Sequence, residues 1–136
     1  MRLESLLAVT ARMQPHEIGP TPGGRRIDLH LAGDADPDGR VQGHLEGVDY
    51  LTVRADGVLQ LNVHATLRTA DGDLVAVRGR GMATPTPEGT MAGRLACTFQ
   101  TASEKLSWLN TTLGVAATKA NMRTGELRLA GYTLEE

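Results

Sequence analysis

The sequence predicts an all-β chain closed as a single antiparallel β-barrel of about eight to ten strands, with one short helical turn and one domain over residues 1–136. Three observations carry this. Apolar and polar residues alternate through most of the chain, the period of a half-buried strand. Sixteen glycines fall with other turn formers at intervals of roughly ten residues, the rhythm of a sandwich or barrel. Two Ala-Asp-Gly triplets, Ala55–Gly57 and Ala70–Gly72, each divide alternating runs, and Asp-Gly in that setting is the strongest short-range hairpin signal. An open sheet of so many strands leaves two unpaired edges, which closure removes.

The elements follow in order. Met1–Met13 alternates well enough for a first strand, and the Gly19–Gly24 segment reads as a long turn before a strand at Arg26–Leu31. Asp34–Arg40 reverses the chain and Val41–Leu45 returns it. A meander of strands near 48–54, 58–69 and 73–81 comes next, ended by Thr84-Pro-Thr-Pro-Glu-Gly. Met91–Gln100 is a further strand, Thr101–Asn110 the helical turn with Thr101 or Ser103 as candidate N-cap, and 112–117 and 125–134 the closing strands.

Loop length decides which meander side chains share a face. A two-residue Asp-Gly turn at Asp56 would set Asp49 opposite His64 and mix polar with apolar on both faces. A three-residue Ala-Asp-Gly loop, its Gly left-handed in a bulge, pairs Arg54 with Val58, Leu51 with Leu61, Ala65 with Val77 and His64 with Arg78. One face then carries Leu51, Val53, Leu59, Leu61, Val63, Ala65, Leu67, Val75 and Val77, with Asp49 its only charge. The other carries Tyr50, Asn62, His64, Arg78 and further polar residues. Ordinary patterning puts the apolar face inside. The alternative is a polar lumen of Tyr50, Asn62, His64 and Arg78, since barrels of this size have room for one small ligand.

A net charge of −2 gives no electrostatic reason to expect nucleic acid or an anionic membrane, and four aromatics are few for a base-stacking platform. The lone Cys97 forms no internal disulfide, which suits a reducing compartment and a cytoplasmic protein. The short N-terminal apolar run, Leu6–Val9, is not a transmembrane segment. A homodimer or higher homo-oligomer is expected, because a meander lined on both faces would cover the second by self-association.

Within the polar-lumen reading, His64 is the acid–base candidate because its pKa lies near neutrality, and Tyr50 supplies a phenolic donor. Asn62 orients a substrate carbonyl, and Arg78 holds an anionic oxygen or a forming enolate. Asp49, if buried, is an acid of raised pKa; at a strand end it bonds turn amides instead. Trp108 is a core plug or a mouth contact, and Asn110 a ligand contact or a backbone cap. Asp34-Ala-Asp36-Pro-Asp38-Gly39 starts like a calcium loop but has Leu45 where the bidentate Glu belongs. Pairing Gly33 with Val41 would bring His30 opposite His44 as two possible metal ligands, short of a third. Cys97 reads as a buried small hydrophobe. No cofactor is implied.

Several segments, in order, resemble the family of small β-barrel proteins catalogued as domain of unknown function 3237. They are Gly19-Pro-Thr-Pro-Gly-Gly-Arg-Arg, Gly43-x-x-x-Gly47 with Asp49, the Asp56-Gly57 turn, the strand from Leu59 to Thr69, Phe99-Gln-Thr and Trp108-Leu-Asn110. The chain departs from the family pattern at Glu46-Gly47-Val48, at Tyr50 in place of Trp and at His64 in place of Arg. The resemblance implies a compact, often oligomeric barrel with a cavity and no agreed reaction. Two functions are therefore expected from the sequence. One is a cofactor-independent isomerase, cyclase or lyase acting on a small apolar or aromatic carbonyl metabolite. The other is a non-catalytic barrel that binds such a compound.

Overall fold

The alternating runs do form strands, and the computed structural model, which describes residues 1–136, closes them into one barrel. Its strands are β1 (Arg2–Thr21), β2 (Gly24–Ala35), β3 (His44–Val53), β4 (Leu59–Arg68), β5 (Leu74–Pro85), β6 (Met91–Thr101), β7 (Gly114–Asn121) and β8 (Glu126–Glu135), with a 3₁₀ turn, η1, at Ser107–Thr111. Each strand pairs antiparallel with the next, and β8 closes on β1. Closure gives every strand a partner on both sides over part of its length, though β1 beyond Arg12 runs on past β8 and pairs with β2 alone.

The meander has the three-residue loops. Arg54 N–H donates to the Val58 carbonyl at 2.9 Å, and Asp49 pairs with Val63, Val53 with Leu59, His64 with Arg78 and Ala65 with Val77. Gly57 and Gly72 supply the left-handed conformations, with φ of 85° and 87°. A Cβ at either would touch nothing within 4 Å, so backbone strain alone opposes substitution. Gly57→Ala and Gly72→Ala should each cost about 1 kcal/mol, read as a lower denaturation midpoint at unchanged slope.

Boundaries shift at most elements, β2 running on to Ala35, β5 to Pro85 and β7 to Asn121, and three further differences matter more. β1 runs on through the expected long turn to Thr21, absorbing one extra residue in a bulge between Glu17 and Gly19, so only two residues separate it from β2. The expected strands 41–45 and 48–54 are one strand, β3, because residues 36–43 form a loop that drops Val41 into the barrel end, where it is 3% exposed. The helical turn starts later than expected, behind Leu106, and neither Thr101 nor Ser103 caps it. Thr101 instead anchors the loop: its hydroxyl donates to the Leu74 carbonyl and accepts from Ser103 N–H.

The apolar face lies inside. Leu51, Leu61, Ala65, Leu67 and Val75 join Val9, Leu29, Leu45, Leu95 and Leu127 in one buried cluster. One end of the barrel is plugged. Leu109 of η1, 1% exposed, and Val41 fill it. Arg40 ties the two plugging segments together, its guanidinium 4.6 Å from the Trp108 ring centre and donating to Thr133 Oγ1 at 3.3 Å. Lys105 pairs with Asp71, and lies 3.4 Å from Asp73, linking the η1 loop to the β4–β5 turn.

Candidate functional site

The inward side chains leave two small chambers on the barrel axis. The chamber under the plug has a volume of about 60 Å³ and is lined by Leu6, Val41, Leu67, Val75, Phe99 and Leu109, among others. The second, of about 80 Å³, lies towards the far end beneath Met91 and Met122. Leu45, Val77, Cys97 and Leu129 line both and form the waist between them. Burial in this apolar wall pushes the Cys97 thiol up to about 11, so it is no nucleophile at neutral pH.

One carboxylate stands in this lumen. Asp49, 5% exposed, lines the second chamber from the middle of β3. The β3–β4 ladder opens beside it: pairing skips Tyr50 and Leu51, and Asn62 N–H donates to Asp49 Oδ1 at 2.9 Å. Desolvation raises its pKa to about 6, against the opposing pull of that hydrogen bond. Its second oxygen has no hydrogen-bond partner in the chain, and neither has the Thr118 hydroxyl in the same chamber. The strand-end alternative for Asp49 is thereby removed, while its expectation as a buried acid of raised pKa matches the geometry.

The polar-lumen expectation does not match it. His64 and Arg78 are exposed on the outer surface, Tyr50 is 38% exposed, and Asn62 is half-buried beside it. The physical reason is the patterning rule itself: solvating this face and packing the nine aliphatic side chains of the other into or against the core is the cheaper arrangement. Some of these residues do come together outside. Tyr50 and His64 rings meet edge-on at 5.5 Å, and His64 stands opposite Arg78 in the register.

The remaining candidates are accounted for by structure. Trp108 is half-buried over Arg40, and its neighbour Leu109 is the plug. Asn110 is a backbone clamp, accepting from Thr101 N–H at 2.8 Å and donating to the Thr101 carbonyl at 3.0 Å. His30 pairs with Val48 rather than His44, because the plug loop makes the β2–β3 connection four residues longer in register than supposed. His44 instead faces Asp34 at 2.9 Å, a hydrogen bond that raises its pKa. No three of the chain's His, Cys, Asp and Glu side chains converge as a metal site. Sequence reasoning passed over Thr118, whose only signal was a hydroxyl at an inward position of a short strand.

Solved structures share this architecture. A β-barrel-like protein from Acinetobacter baumannii matches with a TM-score of 0.86 at 22% identity, over 98% of this chain and 96% of that one. A protein of unknown function from Clostridium acetobutylicum matches with a TM-score of 0.86 at 22% identity, over 98% and 99%. An enzyme from Penicillium herquei matches with a TM-score of 0.71 at 21% identity, over 98% and 94%. At these identities the likeness is one of fold. No curated protein matches the chain. The family model for proteins of unknown function designated DUF3237 matches residues 1–133, and the chain belongs to that family.

Proposed function

We propose that this barrel binds a small apolar or aromatic carbonyl metabolite in its lumen, and that Asp49 moves a proton on it without a cofactor, in an isomerisation or cyclisation. The observation that carries the reading is a single carboxylate, raised to about 6, in a chamber whose only other polar side chain is that of Thr118. A base with a pKa near the working pH combines a useful ionised fraction with a strong drive to accept a proton. The ionised Asp49 takes a proton from the carbon next to the carbonyl. The resulting enolate finds a donor in the Thr118 hydroxyl, and protonated Asp49 returns the proton at the new position. The apolar walls exclude water that would quench the enolate.

Size limits the ligand. Dry apolar cavities take up a benzene-sized ring at about 150 Å³. Neither chamber reaches that alone, so a ring has to span the waist or displace Met91 and Met122, whose flexible side chains yield easily. The likeness to an enzyme from Penicillium herquei supports a catalytic barrel by analogy of fold. A second reading, a non-catalytic binding barrel, is favoured by the bond from Asn62 N–H, which gives Asp49 a structural task.

A panel of small aromatic ketones, followed by methyl NMR of the methionines and by exchange of carbon-bound hydrogen with D₂O, separates these readings. Lumen binding should shift Met91 and Met122, and exchange should be lost in Asp49→Asn with binding retained. His64→Ala should leave both readouts unchanged and alter stability by no more than about 0.5 kcal/mol, as for other surface changes. Binding without Asp49-dependent exchange selects the non-catalytic barrel, and no shift of either methionine rejects the lumen as the site.

A further inference from the structure

The outer surface carries a second polar concavity, distinct from the lumen. β4, β5 and β6 contain four arginines and not one Asp or Glu, in a chain whose net charge is −2. Where this basic sheet meets β2 and β3, a hollow of about 340 Å³ opens. Arg26, Arg54 and Arg80 line it together with Tyr50, Gln60 and Asn62, and no carboxylate does. The opening of the β3–β4 ladder at Tyr50 and Leu51 lies in its floor, where Leu61 lines both the hollow and the lumen.

The three guanidinium groups are not equally engaged. Arg26 donates to the Asp28 carboxylate at 3.0 Å and to the Leu51 carbonyl at 3.1 Å, which holds it in place while leaving donors over. Arg54 is paired with Asp56 at 2.7 Å. Arg80 has neither an ion pair nor a hydrogen bond within the chain, and it stands opposite Asn62, whose side chain also lines the hollow. The hollow therefore offers two tethered cations at its rim, one uncommitted cation, and neutral amide and phenol donors between them. Forked donors around a concavity match an oxyanion with several oxygens, because each Arg presents two parallel N–H bonds to it.

We propose that this hollow is a binding site for a small dianion, a phosphate ester or a dicarboxylate, held by Arg80 with Arg26 and Arg54 and oriented by Asn62, Gln60 and Tyr50. The charge of the whole chain opposes anion binding, so the attraction is local to these strands. The site makes use of Tyr50 and Asn62, but from outside the barrel, and does not depend on Asp49 or on the lumen's reaction.

Titration calorimetry with inorganic phosphate and with succinate, at constant ionic strength, tests this, with amide NMR to locate the response. Saturable binding of either probe is expected, with shifts at Gln60 and Asn62. Phosphate binding alone identifies a phosphoryl ligand, and succinate binding alone a dicarboxylate. Arg80→Gln, an exposed change that leaves the core intact, should weaken binding by about tenfold or more, the worth of a charge-assisted hydrogen bond. Arg128→Gln, which removes the same charge from the far side of the barrel, should leave it unaltered. No saturable binding of either probe, or equal loss in both variants, would overturn the proposal.

Discussion

Asp49→Asn should make the protein more stable and less active. Burial holds the Asp49 pKa about two units above its ordinary value of 3.8, so ionising it at pH 7 costs the folded state about 3 kcal/mol. The amide is neutral at all pH values and its oxygen still accepts from Asn62 N–H. Its NH₂ group enters an apolar chamber without a partner, which takes back roughly 1 kcal/mol. A net gain of about 2 kcal/mol and a Tm higher by several degrees follow. The pH dependence has a definite sign. Between about pH 4 and pH 6 the folded protein keeps a proton that the unfolded chain has released. The Asp49 contribution to stability is therefore greatest below that window, falls as pH rises through it, and is flat above. Subtracting the variant's stability curve from that of the native protein isolates this fall from the other carboxylates, such as Asp56, whose hydrogen bonds lower their pKa and act in the opposite direction. A variant that is no more stable at pH 7 would mean that Asp49 is ionised there without cost.

Leu109→Ala should have the largest destabilising effect near the lumen. Leu109 is 1% exposed, fills the plugged end, and belongs to a turn too short to be stable on its own. Removing its side chain loses transfer free energy and leaves a cavity continuous with the chamber under the plug, for about 3 kcal/mol in all. The Asn110 clamp and the Arg40–Trp108 contact keep the turn in place, so the space should stay open. Benzene should then bind to the variant and raise its Tm by mass action. A loss below about 1 kcal/mol with no benzene effect would show that η1 relaxes into the gap and is not a fixed plug.

Much of the barrel was legible because its information is local. The Ala-Asp-Gly loops set the β3–β4–β5 register through two glycine conformations, and that register sorted Leu51 to Val77 from Tyr50 to Arg78. Residues 36–43 were harder. Their composition is that of a solvated acidic turn, and only the lone Val41 hinted that the loop folds back over the barrel end. The resulting misregister produced the spurious pairing of His30 with His44. The site was misread for a related reason. His64, Tyr50 and Arg78 carry more chemistry than any inward residue, but a short strand buries its aliphatic face first. The one departure from that rule, Asp49 on the apolar face, was visible in the sequence. Its meaning depended on the ladder opening beside Asn62, which alternation alone does not encode.

The most direct measurement is a carbon-detected NMR titration of the Asp49 side-chain carboxyl in the native protein. A midpoint near pH 6, shifted when an aromatic ketone enters the lumen, is the expected result. A midpoint at the ordinary value near 3.8, unmoved by such ligands, would contradict the assignment of Asp49 as the acid–base group of a ligand-binding barrel.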